Sequence, residues 1–65
     1  MNLFIEKIMN TNKNWESLQI FGNLDEREIF ISSIPCDITG VENNKGSSVI
    51  YFNNIDTYKF NKILE

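Results

Sequence analysis

Large apolar side chains occupy both faces of the strand-like segments of this chain, which has only 65 residues. The clearest examples are Trp15, Phe21, Phe30, Tyr51 and Phe52. A single domain of this size buries about 60% of the surface that its unfolded chain exposes. We therefore expect some of these side chains to remain at the surface of the isolated fold, where a partner would cover them.

The chain also lacks the usual devices that stabilise small folds. Cys36 is the single cysteine and histidine is absent, so the sequence offers neither an intramolecular disulfide nor a zinc site. The hydrophobic fraction of 42% and the charged fraction of 23% are typical of a globular chain. We predict one domain, residues 1–65, with oligomerisation as the remaining common means of stabilisation.

The first half of the chain predicts a helix followed by a β-hairpin. Apolar residues recur at helical spacing in the first segment, which a run of Asn and Thr ends, and two alternating segments follow. The predicted elements are a helix over residues 2–12, strands over residues 15–21 and 27–34, and a turn over residues 22–26.

The second half predicts a second hairpin and a helix. Residues 38–42 are either a short third strand or part of a loop. Residues 43–46 form a turn, and residues 48–53 the strongest strand, which is β-branched and aromatic. Residues 57–65 form a helix with Asp56 as its N-cap. The expected fold class is α+β: a small antiparallel sheet of three to four strands, with the short N-terminal helix and the C-terminal helix packed on one face.

The sequence predicts no enzyme, because it offers no nucleophile with a base and no set of metal ligands. Cys36 precedes Asp37, and a neighbouring carboxylate raises the pKa of a thiol rather than activating it. No cofactor site is recognisable. The carboxylates of the predicted first hairpin are either solvated or a binding patch for a basic surface; they are Asp25, Glu26 and Glu28.

Aromatic side chains are the best candidates for partner contact, because Trp and Tyr combine a large contact area with a polar handle. We predict that they act together with the acidic patch. The candidate partner-binding residues are Trp15, Phe21, Asp25, Glu26, Glu28 and Tyr51. The alternative for each aromatic residue is a place in the core, and the alternative for each carboxylate is a solvated surface.

Charge and codon usage favour a protein partner in a bacterial cell. The net charge is −3 and the pI about 4.7, which disfavours binding to nucleic acid. Asn and Ile each occur ten times and Ala never, a bias typical of an AT-rich genome such as that of a low-GC bacterium or its phages. We expect a cytoplasmic protein, because no signal peptide or membrane span is recognisable.

The leading hypothesis is a small acidic inhibitor or adaptor, encoded by a phage or mobile element. Its partner would be a bacterial nucleic-acid-handling or defence protein, whose basic surface it blocks. This mode of action is similar to that of small anti-CRISPR proteins; the likeness is one of size, charge and partner class, and it assigns no residues. The alternative is a nucleic-acid-binding homodimer built on a β-platform. A third hypothesis is a phage assembly protein that oligomerises through its sheet edges.

Overall fold

A computed structural model describes residues 3–9 and 15–65. The elements follow one another in the order β1 (Phe4–Met9), β2 (Trp15–Phe21), α1 (Leu24–Ser33), β3 (Asp37–Asn44), β4 (Ser47–Asn53) and α2 (Thr57–Leu64). The four strands form one antiparallel sheet in the order β1-β2-β4-β3. Strands β2 and β3 both pair with β4, so they run parallel to each other and α1 connects them. The fold is a small α+β domain, as predicted.

The predicted N-terminal helix is wrong, because the described part of that segment is strand β1. The rest of the predicted helix lies outside the described residues. Strand β1 pairs along its length with β2, from Phe4 opposite Phe21 to Met9 opposite Trp15. A helix of this length is marginal on its own, whereas pairing with β2 supplies a partner for the backbone and suits the β-branched Ile5 and Ile8.

The predicted strand over residues 27–34 and the predicted turn over residues 22–26 are also wrong, because Leu24–Ser33 form helix α1. Asn23 starts the helix: its side-chain oxygen accepts a 3.0 Å hydrogen bond from the Glu26 amide. The buried side chains Arg27, Phe30 and Ile34 are spaced three and four residues apart, which places them on one side of a helix. Helical spacing therefore outweighs the high β-propensity of this segment.

The other predicted elements are confirmed. Strand β2 has the predicted bounds, and β3 and β4 are each slightly longer than expected. Asp56 caps α2 by accepting a 3.0 Å hydrogen bond from the Lys59 amide. The turn between β3 and β4 ends on Gly46, whose φ of +82° lies in the region that favours glycine.

The core joins the two central strands to both helices. Its buried hydrophobic members are Leu18, Ile20, Phe30, Ile34, Ile50, Phe52 and Phe60. Leu18 pairs with Ile50, so their side chains lie on one side of the sheet, which we call the core face. The rings of Phe30 on α1 and Phe60 on α2 meet edge to face, with centroids 6.3 Å apart. The packing of the whole C-terminal helix on one face stays a prediction, and the described part of the N-terminal helix predicted beside it is strand β1.

Within residues 3–9 and 15–65, neither helix has the length and apolar character needed to cross a membrane.

Candidate protein-binding surface

The side of the sheet opposite the core face, which we call the outer face, leaves large apolar side chains in solvent. Strand register assigns its members, because residues paired across antiparallel strands point to the same side. The apolar residues of the outer face are Phe4 and Ile8 on β1, Phe21 on β2, and Val49 and Tyr51 on β4. Phe4 is 62% exposed and Tyr51 39% exposed.

Phe4 and Phe21 form an aromatic pair at one end of the outer face. The two residues are directly opposite each other in β1 and β2, and their ring centroids lie 5.8 Å apart at an interplanar angle of 51°. Phe21 is half-buried, so the pair shields one ring and leaves the Phe4 ring open. The pair thus presents a preformed aromatic surface at little cost in side-chain entropy.

Tyr51 lies towards the other end of the outer face, on the central strand β4. Its neighbours in the register are Ser17 on β2 and Gly40 on β3, both small. Cδ2 of the Tyr51 ring comes within 3.6 Å of the place where a Cβ on Gly40 would lie, so the ring lies close to the β3 backbone. The small neighbours leave the ring accessible from solvent.

Carboxylates flank the outer face on both edge strands. Glu6 on β1 and Glu42 on β3 stand in one cross-strand row, with Gln19 and Val49 between them. Three strand spacings of about 4.8 Å separate the two carboxylate positions by about 14 Å. The outer-face positions of the described strands carry no Lys or Arg. Both edge strands therefore give this face negative charge, and its apolar side chains lie among the polar residues Ser17, Gln19 and Ser47.

The predicted aromatic residues are brought together only in part. Phe21 and Tyr51 share the outer face on adjacent strands. Trp15 is paired with Met9 at the start of β2, but its side chain lies outside the described residues, so its contact with a partner stays a prediction. Since Tyr51 is exposed and Phe21 is only half-buried, these two rings are not enclosed by the isolated chain.

The predicted acidic patch belongs to a helix and not to a hairpin turn. Asp25 and Glu26 occupy the first turn of α1, where negative charge stabilises the helix dipole, and Glu28 is exposed further along. Arg27, between them, turns to the core face and bonds to Ser48. The contact of the three carboxylates with a partner stays a prediction. Asp25 and Glu26 also have a structural role, because they lie in the first turn of α1.

The sequence pattern missed Phe4, Glu6 and Ile8, because it assigned their segment to a helix. Two signals favoured the strand: β-branched and aromatic residues in that segment, and a turn-forming run between it and the next alternating segment. Glu42 and Val49 were also missed as surface candidates, because only strand register places them in one row with Glu6.

Nucleophilic chemistry gains no support at Cys36. Partial burial, and secondarily the Asp37 carboxylate, raise the pKa of the Cys36 thiol above its ordinary value of 9.0. The predicted direction of the pKa shift is confirmed, with burial as the larger cause. In the part of the chain that the structure describes, no three His, Cys, Asp or Glu residues cluster in a way that could hold a metal ion.

Comparison of the chain with protein-family models, with curated proteins and with solved structures finds no match.

Proposed function

We propose that the protein is a small binding module, an inhibitor or adaptor, that docks on another protein through its outer face. The observation that carries this proposal is the exposure of the Phe4 and Tyr51 rings on a face whose edge strands carry the carboxylates of Glu6 and Glu42. Exposed rings on a rigid sheet supply contact area, and flanking charges select the partner and its orientation.

The charge of the outer face favours a partner with a basic surface. Such a partner would offer Lys or Arg side chains at both edges of its contact surface, to match the carboxylates of Glu6 and Glu42. Proteins that handle nucleic acids carry basic surfaces for phosphate contact. We therefore propose a bacterial nucleic-acid-handling or defence protein as the target, with blockade of its basic surface as the anti-CRISPR-like mode of action. The net charge of −3 would speed association with such a surface.

A nucleic-acid-binding platform is the second candidate, because exposed rings on a sheet are suited to stacking on bases. Phosphate contact, however, requires cations close to the stacking surface. The described outer-face positions supply three carboxylates, those of Glu6, Asp37 and Glu42, and no cation, so they repel a phosphate backbone. The negative charge of these outer-face positions favours a protein partner over a nucleic acid.

Capture from a lysate of a low-GC bacterium, followed by mass spectrometry, tests the proposal with a matched pair of tyrosine variants. Tyr51→Ala removes a ring from the outer face, and Tyr58→Ala removes a 72% exposed ring from α2. We expect the wild type and Tyr58→Ala to retain the same partner. Tyr51→Ala should weaken its binding by at least about tenfold, as for a truncated aromatic hot spot.

Charge variants and single-stranded DNA complete the test. Glu6→Lys and Glu42→Lys should each weaken binding to the captured partner, and the loss should shrink as the salt concentration rises. Equal retention of the partner by wild type, Tyr51→Ala and Phe4→Ala would contradict a site on the outer face. Salt-sensitive binding of the wild type to labelled single-stranded DNA would instead support the platform.

A further inference from the structure

Three apolar side chains on the central strands of the outer face lie along a diagonal, which we call the apolar line. It runs from Phe21 on β2 through Val49 to Tyr51, both on β4. Strand register places Tyr51 one strand across from Phe21 and four residues along. At about 3.4 Å per residue and about 4.8 Å between strands, the apolar line is about 14 Å long. Its three side chains are half-buried or exposed, so this narrow strip of apolar surface contacts solvent.

Carboxylates stand on both sides of the apolar line. Val49, its middle member, lies in the cross-strand row that ends with Glu6 on β1 and with Glu42 on β3. The two carboxylate positions are about 14 Å apart, whereas an α-helix with its side chains is about 10–12 Å across. One helix laid along the apolar line therefore fits between the two carboxylates and brings its flanks within reach of both.

The backbone of the sheet selects a helix over an extended peptide as the occupant of the outer face. Strand N–H and C=O groups point towards neighbouring strands, in the plane of the sheet, and not towards the face. An extended peptide lying on this face would therefore bury peptide groups without hydrogen-bond partners, which costs free energy for each group. A helix forms these hydrogen bonds within itself.

The width of the apolar surface selects one helix over a second sheet. Two packed sheets interdigitate apolar side chains from all of their strands. The outer-face positions of β3 that pair with β4 are instead polar or small; they are Asp37, Gly40, Glu42 and Asn44. The apolar line is thus wide enough for one rod-like element and too narrow for a sheet.

We propose that the outer face binds an amphipathic α-helix of the partner, with apolar side chains on one side and Lys or Arg on both flanks. The helix is the part of the partner that docks, so this inference rests on the proposed function. Apolar residues at positions i, i+4 and i+8 would contact Phe21, Val49 and Tyr51, because eight helical residues rise about 12 Å, close to the length of the apolar line. Cations on the two flanks would pair with Glu6 and Glu42.

A designed peptide of about 18 residues, long enough to form a helix, tests the proposal on the full chain. It carries Leu along one helical side, Lys on both flanks, Gln and Ala elsewhere, and a fluorescent label at one end. In fluorescence anisotropy we expect the wild type and Tyr58→Ala to bind it equally, and Tyr51→Ala to bind at least about tenfold more weakly. A shuffled peptide of the same composition, without an apolar side, should also bind at least about tenfold more weakly.

Charge variants and circular dichroism test the orientation and the conformation of the bound peptide. Glu42→Lys should weaken binding at least about threefold. Glu65→Lys changes the net charge by the same amount, but Glu65 lines a groove with Ile5 and Phe30 on the core side of the sheet, so binding should be unchanged. The circular dichroism of the mixture at 222 nm should exceed the sum of its components, because the peptide gains helix on binding.

Four results would overturn the proposal: no binding of the amphipathic peptide, equal binding of the shuffled peptide, full binding by Tyr51→Ala, or binding without a gain of helix. If capture of the lysate partner depends on Tyr51 while the amphipathic peptide fails, the helix is the wrong occupant and the proposed function stands. If capture is independent of Tyr51 and the peptide also fails, the outer face is not a binding site and both proposals fall.

Discussion

Nη1 of Arg27 on α1 donates a 2.8 Å hydrogen bond to Oγ of Ser48 on β4. The same Nη1 donates to the carbonyl oxygen of Asn44 at 3.1 Å, and the Ser48 hydroxyl donates onwards to Oδ1 of Asn43 at 2.6 Å. Arg27 is only 4% exposed, and its Nε is buried without a hydrogen-bond partner. This chain of bonds ties the first half of α1 to the β3–β4 hairpin.

The first prediction concerns this buried bond. Ser48→Ala leaves the buried guanidinium with one partner fewer, so it should lower the free energy of unfolding by about 2 kcal/mol. Arg27→Met keeps the packing and removes the cost of burying a charge, so it should change stability by less than about 1 kcal/mol. Urea unfolding monitored by Trp fluorescence measures both.

The double variant is the control for this pair. In the Arg27→Met background, Ser48→Ala should cost about 1 kcal/mol rather than about 2 kcal/mol, because only the hydrogen bond from Ser48 to Asn43 is then left to lose. Strictly additive losses would show that the hydrogen bond does not couple the two residues.

The second prediction concerns the β3–β4 turn. Gly46→Ala should destabilise the fold by about 1 kcal/mol, because the φ of +82° is unfavourable for a side chain even where space is open. Gly40→Ala is the matched control: its new Cβ would lie at ordinary contact distance, 3.6 Å, from Tyr51 Cδ2. Thermal unfolding should leave Gly40→Ala within about 0.5 kcal/mol of wild type. Equal losses in both variants would contradict the conformational argument.

The third prediction concerns the start of α2. Asp56→Ala removes the side-chain oxygen that accepts from the Lys59 amide, so it should cost about 1 kcal/mol of stability. Asp25→Ala is the control, because Asp25 lies in the first turn of α1 without being its cap. It should cost a few tenths of a kcal/mol, through the helix dipole alone. The urea midpoints of the two variants, compared at constant m-value, distinguish these losses of stability. A larger loss for Asp25→Ala than for Asp56→Ala would refute the assignment of Asp56 as the cap of α2.

The fourth prediction concerns the thiol of Cys36. Burial and the Asp37 carboxylate raise its pKa, so the folded protein should react with iodoacetamide more slowly at pH 8 than the urea-unfolded chain. Asp37→Asn should speed alkylation of the folded state. The pKa of the Cys36 thiol is higher in the folded state than in the unfolded state. The protonated thiol therefore contributes stability that is fully present below the unfolded-state pKa and is lost as the pH rises through the folded-state pKa. A faster reaction in the folded state would contradict this picture.

Local patterns in the sequence were enough to predict much of the fold. Strand β2 alternates, β4 is β-branched and aromatic, and α2 has a cap at Asp56 with Phe60 on its buried side. The apolar residues of each of these segments recur at one dominant spacing, so the local conformational preference and the tertiary packing favour the same secondary structure. Tyr51 lies in the predicted strand β4 and is 39% exposed, whereas its contact with a partner stays a prediction.

Where the apolar residues of a segment fit both helical and strand spacing, the tertiary structure decided its secondary structure. The first segment has apolar residues at helical spacing and on both strand faces, and pairing with β2 made it a strand. The segment of α1 alternates like a strand, yet its Asn23 cap and the burial of Phe30 made it a helix. Long-range partners supply the free energy that separates such near-equal local alternatives.

By itself, the sequence determined that this chain carries more large apolar side chains than a domain of 65 residues can enclose. Only the tertiary structure decided which of them stay outside. The core takes Phe30 and Phe52, whereas Phe4 and Tyr51 remain on the outer face. The physical reason is register: which side of a sheet a residue faces depends on strand pairing, and strand pairing joins residues that are distant in the chain.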